Sequence, residues 1–401
     1  MDSNLELIEV ISDRINNSPQ QRITFADYMD SVLYHPQHGY YASNATSPGE
    51  MRERISESGD FLTSPHLAED FGEMLAIQLY QIWQILGRPQ LFNIVEMGAG
   101  QGLLAAQILE YSIRVDPNFF KSIDYIMIET APAMIVAQQA RLKDLPVRWC
   151  EWTQIPDRSI IGCFLSNELI DAFPVHQVIV VEDKLQEIYV AAGDSPRERL
   201  CQRDRAFNET IDELSTDELA KYWQLNHINL LSGKYPDGYR TEINLAALGW
   251  LEQVFKKLQR GYIISIDYGY TADRYYNPMR SQGTLQCYYQ HAYHNDPYIN
   301  IGNQDLTAHV DFTVIQNQGE LLGLNTVGFI QQGMFLMALG LGERIAGISS
   351  SGGDIQSLLR RRQNLHQLID PMGLGKFGVL IQSQGLTPLE QEILLTGLSI
   401  V

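Results

Sequence analysis

The run Glu96-Met97-Gly98-Ala99-Gly100-Gln101-Gly102 constrains this chain more than any other feature. It follows an apolar segment at 92–97 and opens a helical one at 103–109. Glycines let the backbone turn sharply and come close to a ligand, while the N–H groups at a helix start favour polar or anionic atoms. The order strand, turn, helix therefore reads either as a ligand cradle or as a tight turn without ligand. It is not the dinucleotide fingerprint, because Leu103 stands where that motif places its last glycine.

The sequence around the turn alternates. Short apolar runs at 92–97, 125–128, 160–165 and 262–266 read as strands, with helices at 103–109 and 133–142 between the first of them. This predicts an α/β fold, a mainly parallel sheet with helices on both faces, which runs 326–330 and 377–381 complete at one edge. Residues 1–90 read as an N-terminal helical region: Thr24 caps a helix ended by Pro36, and Ser64-Pro65 starts one that keeps the 3.6-residue period to Leu86. A loop rich in Gly, Ser and Glu separates them. The expected organisation is this region, a first part of the α/β domain at 91–183, an insertion at 184–245 with hairpin-like and helical pieces, and a second part at 246–401. Within the last, 269–307 is rich in Tyr, Asn, His and Gln and reads as a long loop without a clear period.

Acids stand where these strands end. Glu129 closes the second strand, where a carboxylate can accept both hydroxyls of a ribose or simply cap the next helix. Beside the glycine turn, it points to an adenosine-containing ligand at the carboxyl ends of the strands. After 160–165 come Glu168 and Asp171, three apart and on one face if helical, with catalysis and turn formation both open to them. Asp267 ends the fifth strand, and His309 and Asp311 place an imidazole two residues from a carboxylate, although a lone His is usually structural.

Composition excludes several classes. The formal charge of −19 repels phosphate backbones and anionic lipid heads, so neither nucleic acid nor membrane insertion is expected; it favours a cationic ligand or basic segment, or serves solubility alone. Cys150, Cys163, Cys201 and Cys287 are too few and too scattered for a disulfide framework or zinc knuckle, which suggests a reducing compartment. The acidic N-terminus lacks the pattern of a signal or transit peptide, and the richest apolar stretch, 333–342, is half of what a membrane helix needs, so the expected location is cytoplasmic. His35/His38 and His291/His294 have no third ligand in view, and no metal is expected. Arg360-Arg361-Arg362 reads as a solvated helix face.

The glycine motif with an acid closing the next strand resembles class I S-adenosylmethionine methyltransferases. Further motifs narrow this: Ile23-Thr24-Phe25-Ala26-Asp27-Tyr28-Met29, His35-Pro36-Gln37-His38-Gly39-Tyr40-Tyr41, Gly59-Asp60-Phe61-Leu62-Thr63-Ser64-Pro65, Asn167-Glu168 with Asp171-Ala172-Phe173-Pro174-Val175-His176, Asp267-Tyr268-Gly269 and Asp305-Leu306-Thr307-Ala308-His309-Val310-Asp311-Phe312. Together they resemble the MidA-type methyltransferases, whose mitochondrial members are complex I assembly factors, over roughly residues 23–335. The resemblance implies a Rossmann-like class I methyltransferase sheet and S-adenosyl-L-methionine as cofactor. It assigns Gly98, Gly100, Gly102 and Glu129 to the methyl donor, with Thr63, Ser64, Glu96, Asn167 and Glu168 counted to the same pocket. It also implies a protein partner, since the mitochondrial members are described as dimethylating an arginine of a complex I core subunit.

Methyl transfer from a sulfonium needs alignment and shielding from water but no metal. An arginine acceptor stays protonated, so carboxylates must hold it and receive its proton. Glu168, Asp171, Asp267, His309 and Asp311 are the candidates, and spacing does not choose among them. Two other readings stay open: a small-molecule methyltransferase with 269–307 as a lid, and a non-catalytic assembly chaperone that binds the donor.

Overall fold

The computed structural model describes residues 3–43, 63–193, 206–290, 292–348 and 354–399. Motif residues Gly59–Leu62, the Gly/Ser/Glu loop, Cys201 and His291 fall outside them. The chain packs into two compact units, one from residues 1–61, 170–250 and 269–317, the other from 62–169, 251–268 and 318–401. The region read as one helical block, 1–90, is thus divided between them, and the insertion at 184–245 lies within a longer stretch of the first unit, Ile170–Trp250.

The second unit holds a seven-stranded sheet in the order Asn325–Gln331, Gly378–Gln384, Leu258–Asp267, Ile160–Asn167, Phe92–Met97, Ile123–Ile128, Val147–Cys150. The last five are parallel, and Gly378–Gln384 runs antiparallel to both its neighbours. All six residues of Phe92–Met97 are buried. Since alternate side chains of a strand point to opposite faces, both faces of the sheet are covered. Phe92 and Ile94 belong to one apolar cluster with Phe71, Leu75 and Leu79 of helix Asp70–Ile85, Ile108 of helix Leu103–Val115, and Phe335 and Leu365 of the C-terminal helices.

One predicted helix is broken. The segment from Ser64 forms a short helix Ser64–Leu67, Ala68 is extended at φ −156°, and Asp70–Ile85 starts anew. The carbonyls that a continuous helix would use are taken from outside: Gln107 donates to Pro65 O at 2.7 Å and Asn364 to Leu67 O at 2.8 Å.

The first unit is built on five antiparallel strands. Lys184–Ala192 pairs with His176–Val181, Phe207–Asp212 and the N-terminal Arg22–Thr24, and Arg240–Ile243 pairs with His176–Val181. Thr24 then caps helix Phe25–Tyr34 through a reciprocal pair with Asp27, as the sequence predicts. Segment 269–307 is not the long loop expected. It contains Gly269–Tyr270, helix Ala272–Tyr275 and a three-stranded sheet with Gln286–Tyr289 between Ala292–His294 and Asp305–Thr307. Strands of three or four residues are too short to show a period in sequence.

Across the amino ends of the parallel strands of the second unit runs a polar chain: Ile161 N donates to Asn93 Oδ1 (3.1 Å), Asn93 Nδ2 to Asp124 (2.9 Å), and Arg148 makes two bonds to Asp124 (both 2.9 Å). It requires close approach at Gly162, where a Cβ would lie 2.0 Å from the Asn93 carbonyl oxygen. Gly162→Ala should therefore cost about 3 kcal/mol or more in urea unfolding, because the opposing atom is backbone. A loss under about 1 kcal/mol would show that the strands separate easily.

Candidate active site

The strand order sets the location. From Phe92–Met97 the chain adds Ile123–Ile128 and Val147–Cys150 on one side, then Ile160–Asn167 and Leu258–Asp267 on the other. Ligands of such sheets lie at the carboxyl ends of the strands, where the direction of addition reverses. Here the glycine turn leaves the strand at the reversal. Gly98, Gly100 and Gly102 adopt φ of 68°, 51° and 75°. A Cβ on Gly98 would meet Leu169 Cδ1 at 2.8 Å, and one on Gly102 would meet Leu142 Cδ1 at 3.0 Å, whereas one on Gly100 would meet nothing within 4 Å. The turn is packed at both ends and open in its middle. Gly102 is the N-cap of Leu103–Val115 and supplies no capping side chain, which leaves first-turn N–H groups to a ligand.

Gln138 fixes the outer side of this turn. Wholly buried, its Nε2 donates to Gly100 O at 2.7 Å and to Glu129 Oε2 at 3.2 Å, and its Oε1 accepts from Trp149 Nε1 at 2.8 Å. The sequence reading missed it. Its signal was a polar residue on the stripe Met134, Gln138, Leu142, spaced at i, i+4, i+8, where burial is expected. Glu129, half-buried, also accepts from Thr130 N (2.8 Å) and Ala131 N (3.0 Å) through Oε1. These bonds hold the turn that leads into helix Pro132–Arg141 and do not cap the helix, whose N-cap, Ala131, has no side-chain cap. Three of roughly four lone-pair sites are used, which leaves Glu129 room for one strong bond to a hydroxyl rather than two.

Two acids flank the turn within the same unit. Glu168 follows Ile160–Asn167 in a left-handed conformation, φ 53°, and its N–H bonds Ile266 O at 2.9 Å. Its carboxyl accepts from Asn167 Nδ2 at 3.1 Å and from Ser64 N–H. Burial, with the nearby Asp267 charge adding to it, pushes this carboxyl up to about 8. Asp267, 1% exposed, ends the neighbouring strand and accepts from Tyr268 N (2.7 Å) and Leu169 N (3.2 Å). Leu169 thus links the acids to the glycine turn, since its side chain packs on Gly98.

The remaining pocket candidates are supporting residues. Glu96 lies in the sheet, bonded by Tyr125 Oη at 2.8 Å and raised by burial to about 7. The Ser64 hydroxyl is buried against Gln332, and Thr63 Oγ1 lies 2.7 Å from His66 Nδ1.

The other three catalytic candidates belong to the first unit. Asp171, 7% exposed, sits on the turn Ile170–Ala172, and its carbonyl accepts from Ala308 N at 2.9 Å. Nearby, Tyr41 Oη donates to Asp305 Oδ1 at 3.0 Å and Tyr34 Oη to Ala172 O at 2.8 Å. Asp311 holds local structure together. Its Oδ1 accepts from Thr313 N (3.0 Å) and Val314 N (3.3 Å) at the start of helix Phe312–Leu322, and its Oδ2 accepts from Asn226 (3.3 Å). Burial lifts it to about 6. His309 packs its ring edge-on to Tyr270, centroids 5.1 Å apart. The structure thus gathers Gly98, Gly100, Gly102, Glu129, Glu168 and Asp267 in one unit and Asp171, His309 and Asp311 in the other.

The family model described as S-adenosyl-L-methionine-dependent methyltransferase matches residues 74–330, more than half of the chain. The mitochondrial protein arginine methyltransferase NDUFAF7 homolog of Drosophila melanogaster is 27% identical over 79% of this chain and 71% of its own length. Human protein arginine methyltransferase NDUFAF7, mitochondrial, is 25% identical over 88% of this chain and 78% of its own. Among solved structures, a Burkholderia thailandensis protein bound to S-adenosyl-homocysteine matches with a TM-score of 0.82 and 28% identity, covering 98% of this chain and 94% of that one. A turn open at Gly100, first-turn N–H groups and an acid at the next strand end fit such a ligand.

Gly100→Val should place a branched side chain in the open middle of the turn and weaken S-adenosylhomocysteine binding at least tenfold in calorimetry, with unchanged circular dichroism. Unchanged affinity would remove the turn from the site. Glu129→Ala should cost about 1–3 kcal/mol of the same affinity, the range for a charged hydrogen-bond acceptor.

Glu168 also predicts a pH effect. With a folded value of about 8 against an ordinary 4.5, the folded protein holds one proton more than the unfolded chain between those limits. Its contribution to stability is full below 4.5 and is lost as pH rises through 8. Glu168→Gln cannot titrate, so its stability relative to the unsubstituted protein should rise across pH 5 to 8, by at most about 1.4 kcal/mol per unit. Parallel urea-unfolding profiles of the two proteins over that range would contradict it.

Proposed function

Since this chain belongs to the S-adenosyl-L-methionine-dependent methyltransferase family, we propose that it methylates an arginine of a partner protein, a core subunit of a respiratory complex I-type assembly, in the cytoplasm. The observation that carries this reading is the pair of acids, Glu168 and Asp267, at the ends of adjacent parallel strands beside the glycine turn. A guanidinium is always protonated and never a free base, so it requires carboxylates that hold it and accept its proton as the methyl arrives. Relatives named protein arginine methyltransferase and the chain's −19 charge, which favours encounter with a basic segment, support the same acceptor.

When bound, S-adenosylmethionine supplies an electrophilic methyl carbon on a sulfonium. The chain's own residues do the rest. Gly98, Gly100, Gly102 and Glu129 would hold the donor, and Glu168 and Asp267 would hold the guanidinium and take up its proton. A cation beside Glu168 draws its carboxyl down from about 8, so the acid ionises when its partner arrives. Among the described residues no helix is long and apolar enough to cross a membrane.

Labelled S-adenosylmethionine and this protein, added to a lysate of cells lacking it, should mark one protein band. Mass spectrometry should show a methylated arginine in a complex I subunit that loses its methyl groups in those cells. Glu168→Gln should lower kcat on this substrate by about 10²-fold or more, and the rate at low substrate should fall with added salt. Label confined to small molecules, with every arginine modification of complex I intact, would overturn the reading.

A further inference from the structure

The arginine run lies on an exposed helix face, as the sequence reads, and two of its members, Arg360 and Arg361, also line a groove. Helix Ile355–Ile369 turns Ser357, Arg360, Arg361 and Asn364, one face at i, i+3, i+4 and i+7, into a groove of about 740 Å³. The start of Asp70–Ile85 and the end of Leu103–Val115 supply further lining, all within the second unit.

Charges in the groove form an alternating chain. Arg114 pairs with Glu73, Glu73 with Arg344, Arg344 with Asp70 (3.1 Å) and Asp70 with Arg361 (2.9 Å). Tyr111 lies against two of its members, with the Arg114 and Arg344 guanidinium carbons 4.9 and 5.0 Å from its ring centre. The carboxylates are buried, at 4% and 8% exposure, whereas the Arg114 and Arg361 side chains at the two ends are 63% and 47% exposed.

A purely structural network would balance. This one sets three guanidiniums on two carboxylates and adds Arg360, which makes no ion pair among the described residues; Glu69 is the only other acid in the lining. The groove is therefore cationic in a chain of charge −19. Four guanidiniums carry roughly twenty N–H donors, and Asp70 and Glu73 take five hydrogen bonds from them. What complements such a surface is a group that only accepts, and arginine favours carboxylate or phosphate.

We propose that this groove docks an acidic segment of a partner protein, through two carboxylate side chains set apart from each other. The charge order favours this over a phosphate. A concentrated dianion would meet Asp70 and Glu73 in the neutralised middle, whereas two separated carboxylates reach the cationic ends at Arg114 and at Arg360–Arg361. The half-buried Ala68 and Tyr111 in the lining offer apolar surface to the residues between the two acids. From Gly102 to Arg114 the helix spans roughly 18 Å at 1.5 Å per residue, so the Arg114 end of the groove lies clear of the glycine turn.

Fluorescence anisotropy on the full-length protein tests this, with labelled peptides carrying two glutamates separated by two to five apolar residues. At least one spacing should bind at low salt. Replacing both glutamates by glutamine, or substituting Arg360→Glu, should weaken that binding at least tenfold, and saturating S-adenosylhomocysteine should leave it unchanged. Arg360→Glu removes no internal ion pair, and calorimetry with S-adenosylhomocysteine checks that it folds; Arg114→Gln, weakening the same peptide, is the second variant. No binding at any spacing, equal binding of the glutamine peptides, indifference to Arg360→Glu, or displacement by micromolar tripolyphosphate would overturn the proposal.

Discussion

The buried amide of Gln138 is the contact on which the geometry of the donor side rests. Its two donors and one acceptor tie the Gly100 carbonyl, the Glu129 carboxylate and the Trp149 indole into one unit. A buried amide deprived of partners costs about 1–3 kcal/mol, so the turn and the acid cannot shift independently. The glycines make the turn passable, but it is this amide, from a helix outside the motif, that gives the turn a fixed shape.

Sheet topology supplies the rest. Parallel strands present all their carboxyl ends on one side, and here those ends carry Gly98, Glu129, Glu168 and Asp267 in four adjacent strands. No pair of them is close in sequence, yet each needs only to be the residue that follows a buried run. The same logic explains why acids are tolerated there: at a strand end, backbone N–H groups not used by the ladder can bond a carboxylate, as Tyr268 and Leu169 do for Asp267.

This is also why much of the site was legible in sequence. Continuous apolar runs mark buried parallel strands, and the first residues after them are the functional positions. The strand at 92–97 was predicted to the residue, and 125–128, 160–165 and 262–266 lie inside longer observed strands. Tertiary hydrogen bonds were not legible. Gln107 and Asn364 break a helix whose periodicity is unbroken, and Gln138 lies far from the motif it supports. Nor could the sequence show that Arg361 meets Asp70, nearly 300 positions away, because a charge on an amphipathic helix reads as solvated until its neighbour is known. The first unit is assembled from three separate stretches of chain, and the three- and four-residue strands of its small sheet within 269–307 offer neither length nor periodicity to a sequence reading.

The electrostatics of Glu168 connect this architecture to chemistry. Glu168 is half-buried and close to a buried acid, Asp267, and two such groups resist carrying full charge together. Near neutral pH Glu168 therefore stays largely protonated while no cation is near. A cation entering beside it gains an ionised partner at the cost of releasing one proton, and a neutral ligand gains neither charge nor release. The pair is therefore selective for positive charge in a way that a solvated carboxylate is not, because water would screen the difference. A sulfonium donor carries a positive charge that its thioether product lacks, and a guanidinium one that an uncharged metabolite lacks. Burial of the acids, required by the sheet, is thus also what makes them discriminate.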